Sequence, residues 1–127
     1  MASWDDVGRI VSELPETAEP SPRNWRVRKK LIAWERPLRK ADVAALGADA
    51  PDGDILGARV ADEGVKFALI ADDPGAYFTT PHFDGYPAVL VRLAEMIGVP
   101  ELGELLTEAW SAQAPKTLAK EFLQIDS

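Results

Sequence analysis

The single histidine of this 127-residue chain lies in its most unusual stretch, Tyr77-Phe78-Thr79-Thr80-Pro81-His82-Phe83-Asp84-Gly85-Tyr86-Pro87. His82, Asp84 two residues on, and the hydroxyls of Thr79, Thr80 and Tyr86 are the residue types that acid–base or nucleophilic chemistry uses. The same five could line a small-ligand site. Three features weigh against catalysis. There is no Gly-x-Ser-x-Gly elbow. Residues at i and i+2 in a turn need not converge on a substrate. Asp84-Gly85 is also ordinary turn chemistry between two strands. The simpler reading is a hairpin loop shaped by His82 and Asp84, with the aromatics buried. No catalytic residue is assigned, and the chain is expected not to be an enzyme.

Other chemistries are excluded by residue type. There is no cysteine, hence no disulfide, thiolate zinc site, iron–sulfur cluster or cysteine nucleophile. One histidine cannot make a multi-histidine metal site. Neither Gly-x-x-x-x-Gly-Lys-Ser/Thr nor Gly-x-Gly-x-x-Gly occurs, so no nucleotide cradle is expected. The pairs Asp5–Asp6 and Asp72–Asp73 could hold a hard cation, but helix ends explain them more simply. No metal and no cofactor are expected.

The net charge of −7 speaks at first against a nucleic-acid partner. It conceals a segregation. Between Arg23 and Lys40 there are eight cations and one carboxylate, a net of +7. The remainder holds six cations and twenty carboxylates, a net of −14. Arg26 and Arg28 share one strand face, because side chains alternate with period two. With Lys29, Lys30, Arg39 and Lys40 they make the candidate phosphate-contacting set. The alternative is a solvated sheet face whose cations neutralise acids on neighbouring helices. Trp25 and Trp34 are interleaved with the cations, and core burial is the simpler role for both. A local basic patch can act despite the global sign, since charges beyond about 8–10 Å are screened at physiological salt. Binding of that kind is modest and salt-dependent.

The elements that must position these residues follow from periodicity. Ser3, Asp5 and Asp6 mark a helix start, and Val7, Ile10, Val11 and Leu14 form one helical face that Pro15 ends. Residues 15–22, with three prolines, read as a loop. Asn24–Arg28 and Leu31–Glu35 read as a hairpin with Lys29-Lys30 at its tip. A short helix over Leu38–Leu46 is capped by Gly47. Strands follow at Ile55–Ala61, Ala76–Thr80 and Tyr86–Leu93. Between the first two lies a helix capped by Asp62 and ended by Asp73-Pro74. Leu102, Leu105, Leu106, Ala109 and Trp110 give a long amphipathic helix, and Pro115 opens a last one. The class is α+β: an antiparallel sheet of about five strands packed by helices on one face, in a single domain over residues 1–127. The N-terminus lacks signal-peptide features and no apolar run could span a bilayer, so a cytoplasmic chain is expected.

Several separated blocks resemble the MmcQ/YjbR family in its actinobacterial-type branch. They are Glu35-Arg36-Pro37-Leu38-Arg39-Lys40, then Leu46-Gly47 and Ile55-Leu56-Gly57, the run from Thr79 to Leu93, and Glu108-Ala109-Trp110 with Ala114-Pro115-Lys116. Together they span about residues 3–120 in the expected order. The resemblance implies a CyaY/frataxin-like two-layer α+β sandwich and that family's usual label of DNA binding. It brings no catalytic residues. The leading expectation is a non-enzymatic module that contacts nucleic-acid phosphates through segment 23–40. The alternatives are a protein-interaction domain with an acidic partner, and the small-ligand site at Thr79–Tyr86. A monomer or weak homodimer is expected.

Overall fold

The structure, a computed structural model, describes residues 2–50, 53–96 and 98–123. Six strands form one antiparallel sheet: β1 (Thr17–Ser21), β2 (Asn24–Val27), β3 (Lys30–Glu35), β4 (Ile55–Arg59), β5 (Tyr77–Phe78) and β6 (Ala88–Arg92). Their spatial order is β1-β2-β3-β4-β6-β5. The helices are α1 (Trp4–Ser12), α2 (Lys40–Leu46), α3 (Glu63–Asp72), α4 (Val99–Gln113) and α5 (Lys116–Leu123).

Helix α1 forms as its sequence dictates. Ser3 and Asp6 make a reciprocal capping box, with Ser3 N donating to Asp6 Oδ2 at 3.0 Å and Asp6 N to Ser3 Oγ at 3.3 Å. Its Val7 and Val11 meet Leu102, Leu106 and Trp110 of α4 in the main core. That core also takes Trp25, Ile32, Leu56, Ala58, Val89 and Val91 from the sheet. Each fully buried apolar side chain of this size contributes about 1.5–3 kcal/mol. Trp110 Nε1 donates to Pro15 O at 2.9 Å, tying the end of α1 to α4.

Alternation along the strands gives the sheet a second apolar face. Leu56 faces the main core while its neighbour Ile55 joins Phe78, Phe83 and Leu90 on the other side. Trp34, Leu38 and Leu46 pack against that second cluster. The main helical layer thus covers one face, and α2 with the 81–83 turn covers part of the other.

Two expectations need correction. Segment 15–22 is not a loop throughout, because Thr17–Ser21 pairs with β2 as an edge strand, making six strands rather than about five. Its outer edge needs no partner, so Pro20 is tolerated there. The hairpin tip is also shifted. Val27 pairs with Lys30, so the turn is Arg28-Lys29 and Lys30 begins β3. Arg28 holds φ 54°, a left-handed conformation that costs a non-glycine residue about 1–2 kcal/mol. Glu16 offsets that cost. Its carboxylate accepts from Arg28 Nε at 2.8 Å and NH2 at 3.1 Å, and its carbonyl from Arg28 N at 3.0 Å.

Candidate functional site

The β3–α2 link and the 82–86 turn form the two walls of one cleft of about 790 Å³. Trp34, Arg36, Leu38 and Arg39 come from the first, and His82, Phe83, Asp84 and Tyr86 from the second. These are the two blocks, far apart in the chain, that stand out in the sequence.

A buried polar cluster holds the walls together. Arg36 is 5% exposed, Asp42 3% and Thr80 2%. Arg36 NH2 lies 3.0 Å from Asp42 Oδ2. Its NH1 donates to Pro37 O, and its guanidinium sits 5.2 Å from the centre of the Phe83 ring. Burial pushes the Asp42 carboxyl up. The Arg39 N–H, donating at 2.9 Å, the Arg36 charge and the neighbouring Thr80 hydroxyl outweigh it and hold the pKa below 3.8. Thr80 Oγ1 reaches this carboxylate without good hydrogen-bond geometry.

The second wall is pinned from behind by Lys66 of α3, which has no exposed surface. Its ammonium donates to the carbonyls of Phe83 at 2.7 Å and Tyr86 at 3.1 Å. Burial lowers its pKa, and the charges of Glu63 and Asp84 partly restore it. On β4, Arg59 NH1 donates to Tyr86 Oη at 2.8 Å, and the guanidinium lies 4.7 Å from that ring's centre. Trp34 lies flat across the backbone of Gly57, where an added Cβ would come within 2.5 Å of the indole. Only glycine permits that approach.

Of the five candidate ligand-site residues, His82, Asp84 and Tyr86 line the cleft. His82 packs edge-on to Phe83 at 4.9 Å between ring centres and makes no hydrogen bond to Asp84. Thr80 lies behind the wall, and Thr79 Oγ1 makes only a 3.5 Å contact with Thr80 O. Of the six candidate phosphate contacts, only Arg39 lines the cleft. Lys40 is exposed at the start of α2, and Lys29 and Lys30 are exposed at the far end of β3. Arg28 is held by Glu16, while Arg26 donates to Asn24 Oδ1 at 3.1 Å and Lys29 O at 2.9 Å. Arg23 pairs with Glu35 at 2.8 Å. Segment 23–40 therefore presents two separate groups of available cations and not one continuous patch. Trp25 is core, but Trp34 lines the cleft. The alternation of β3 signals that Trp34 faces away from Ala33, yet nothing local says what it faces.

The fold defines an α+β protein of DUF419-like architecture. A crystal structure of a Deinococcus radiodurans DUF419 protein matches 99% of this chain and 91% of its own, with a TM-score of 0.65 at 20% identity. No family model matches the sequence. Uncharacterized proteins of Mycobacterium tuberculosis (strain ATCC 25618 / H37Rv) and Mycobacterium bovis (strain ATCC BAA-935 / AF2122/97) are each 69% identical over 126 residues. The match covers 97% of this chain and 97% of each of theirs. The chain belongs to the family of these mycobacterial proteins. Among the described residues, no helix is long and apolar enough to cross a membrane.

Proposed function

We propose that this chain is a member of the MmcQ/YjbR group and a non-enzymatic module that binds single-stranded nucleic acid in the Trp34–Tyr86 cleft. The observation that carries the reading is the convergence of aromatic rings with an unpaired guanidinium. Trp34, Phe83 and Tyr86 line a cleft at whose rim Arg39 has no carboxylate partner among the described residues. An unpaired base can stack on such rings, at about 1–3 kcal/mol per base. Arg39 and the adjacent Lys40 then meet the flanking phosphates. A duplex hides its base faces, and on the strand that would track its backbone Arg28 is held by Glu16 and Arg26 by Asn24 and the Lys29 carbonyl.

Fluorescence anisotropy tests this with a labelled single-stranded oligonucleotide and the matching duplex across a salt series. The single strand is expected to bind more tightly, with affinity falling as salt rises. Tyr86→Ala and Arg39→Glu are each expected to weaken it about tenfold or more. Equal affinity for duplex and single strand, or binding indifferent to both substitutions, overturns the reading.

A further inference from the structure

A second cleft, of about 520 Å³, opens on the opposite face, between the end of α3 and α4. Tyr77 belongs to it, whereas its neighbour Phe78 faces the first cleft's side of the sheet. Asp72 and Asp73 enter from the end of α3, and Glu101, Glu104 and Glu108 from α4. The three glutamates recur at i, i+3 and i+7 and so share one helical face. None of the five carboxylates is in an ion pair among the described residues. The last turn of α3 carries no basic residue, so two carboxylates sit at the negative end of that helix dipole. Here the chain concentrates charge that its own cations do not neutralise.

Tyr77 supplies an independent sign that something is received there. The residue is only 7% exposed, yet its hydroxyl has no hydrogen-bond partner among the described residues. Burial, and then the charges of Glu101, Asp73, Glu108 and Asp72, push its pKa up to about 12. The hydroxyl therefore stays neutral, with oxygen lone pairs free to accept. The ring is buried while the oxygen opens on the cleft, where a donor from a bound molecule would reach it.

The ligand's chemistry follows from how the charges are spread. No three carboxylates among the described residues converge closely enough to hold a metal ion. The cleft also includes Leu69 and Leu105, apolar surface that a hydrated divalent cation does not use. We propose that this cleft binds a linear polyamine, with ammonium groups on the carboxylates, methylenes on Leu69 and Leu105, and one N–H donated to Tyr77 Oη. This site is separate from the nucleic-acid reading and independent of it.

Isothermal titration calorimetry with spermidine tests the proposal, using the full chain at physiological ionic strength. Saturable one-to-one binding is expected. The double substitution Glu104→Gln/Glu108→Gln is expected to weaken it about tenfold or more, and Tyr77→Phe about threefold. Circular dichroism should show both variants folded, and the phenylalanine keeps the ring in place. Magnesium chloride at matched ionic strength should not displace spermidine, whereas excess putrescine should. The proposal is overturned by absence of saturable binding, by indifference to both variants, or by displacement with magnesium as complete as with putrescine.

Discussion

Arg36 and Asp42 decide whether the two walls of the aromatic cleft stay in register. Each is almost wholly removed from solvent, and each needs the other's charge. Removing one partner of such a pair costs about 3–5 kcal/mol, because the survivor is left charged and buried. Arg36→Met is therefore expected to lower urea-unfolding stability by about that amount, and Arg36→Met/Asp42→Leu to recover most of it. The same pair makes stability pH-dependent. The folded-state pKa of Asp42 lies below its ordinary 3.8, so its contribution is fully present above pH 3.8. That contribution is lost as pH falls through the folded-state value. Asp42→Asn should thus reduce stability at neutral pH and flatten the decline below pH 3.8. Curves that stay parallel would place the acid sensitivity at Asp6 and Glu16. Those carboxyls are also held low, mainly by the Ser3 N–H and by Arg28 respectively.

Among the elements, β3 and β4 are joined by more than their ladder, because the Trp34 indole crosses Gly57. Both neighbours are fixed, since Phe83 lies 6.4 Å from Trp34 between ring centres and Gly57 sits inside the sheet. A Cβ at Gly57 must displace the indole. Gly57→Ala is expected to cost about 1–3 kcal/mol as an overpacking substitution. It should also red-shift the Trp34 contribution to fluorescence, obtained by difference from Trp34→Phe. An unchanged spectrum would mean that the ring is not pinned there. Elements whose cause is local were legible in the sequence. The capping box of α1, Asp62 starting α3, Gly47 ending α2 and the apolar face of α4 all appear where their residue types place them. Edge strand β1 was not, because it buries no side chain and so carries no alternation. The hairpin turn shifted by one residue because a long-range bond to Glu16 stabilises Arg28 at positive φ. The cleft followed the same rule. Both walls were visible as unusual blocks, but their meeting depends on Arg36, Asp42 and Thr80, which no short-range pattern brings together.

At the scale of the whole molecule, charge segregation in the chain becomes asymmetry between surfaces, though not the one the bare counts suggest. Three of the eight cations of segment 23–40 are paired with Glu16, Glu35 and Asp42, while the carboxylates that α4 and the end of α3 bring to the second cleft are in no ion pair among the described residues. The protein therefore keeps a self-repelling acidic cleft in its resting state, which is a cost in stability. Glu104 stands at the centre of it, one helical turn from both Glu101 and Glu108. Each like-charged neighbour at that spacing costs about 0.2–0.5 kcal/mol. At roughly 4 °C per kcal/mol for a domain of this size, Glu104→Gln should raise the thermal midpoint by about 2–4 °C at low salt. The gain should shrink as salt screens the cleft. Glu121→Gln, on α5 and outside the cleft, controls for the general loss of one negative charge. Spermidine should reproduce the stabilisation in the unmodified protein and add less in Glu104→Gln, because a ligand that binds only the folded state stabilises in proportion to its occupancy. A midpoint unmoved by Glu104→Gln, or moved equally by Glu121→Gln, would show that the cleft stores no repulsion for a cation to relieve.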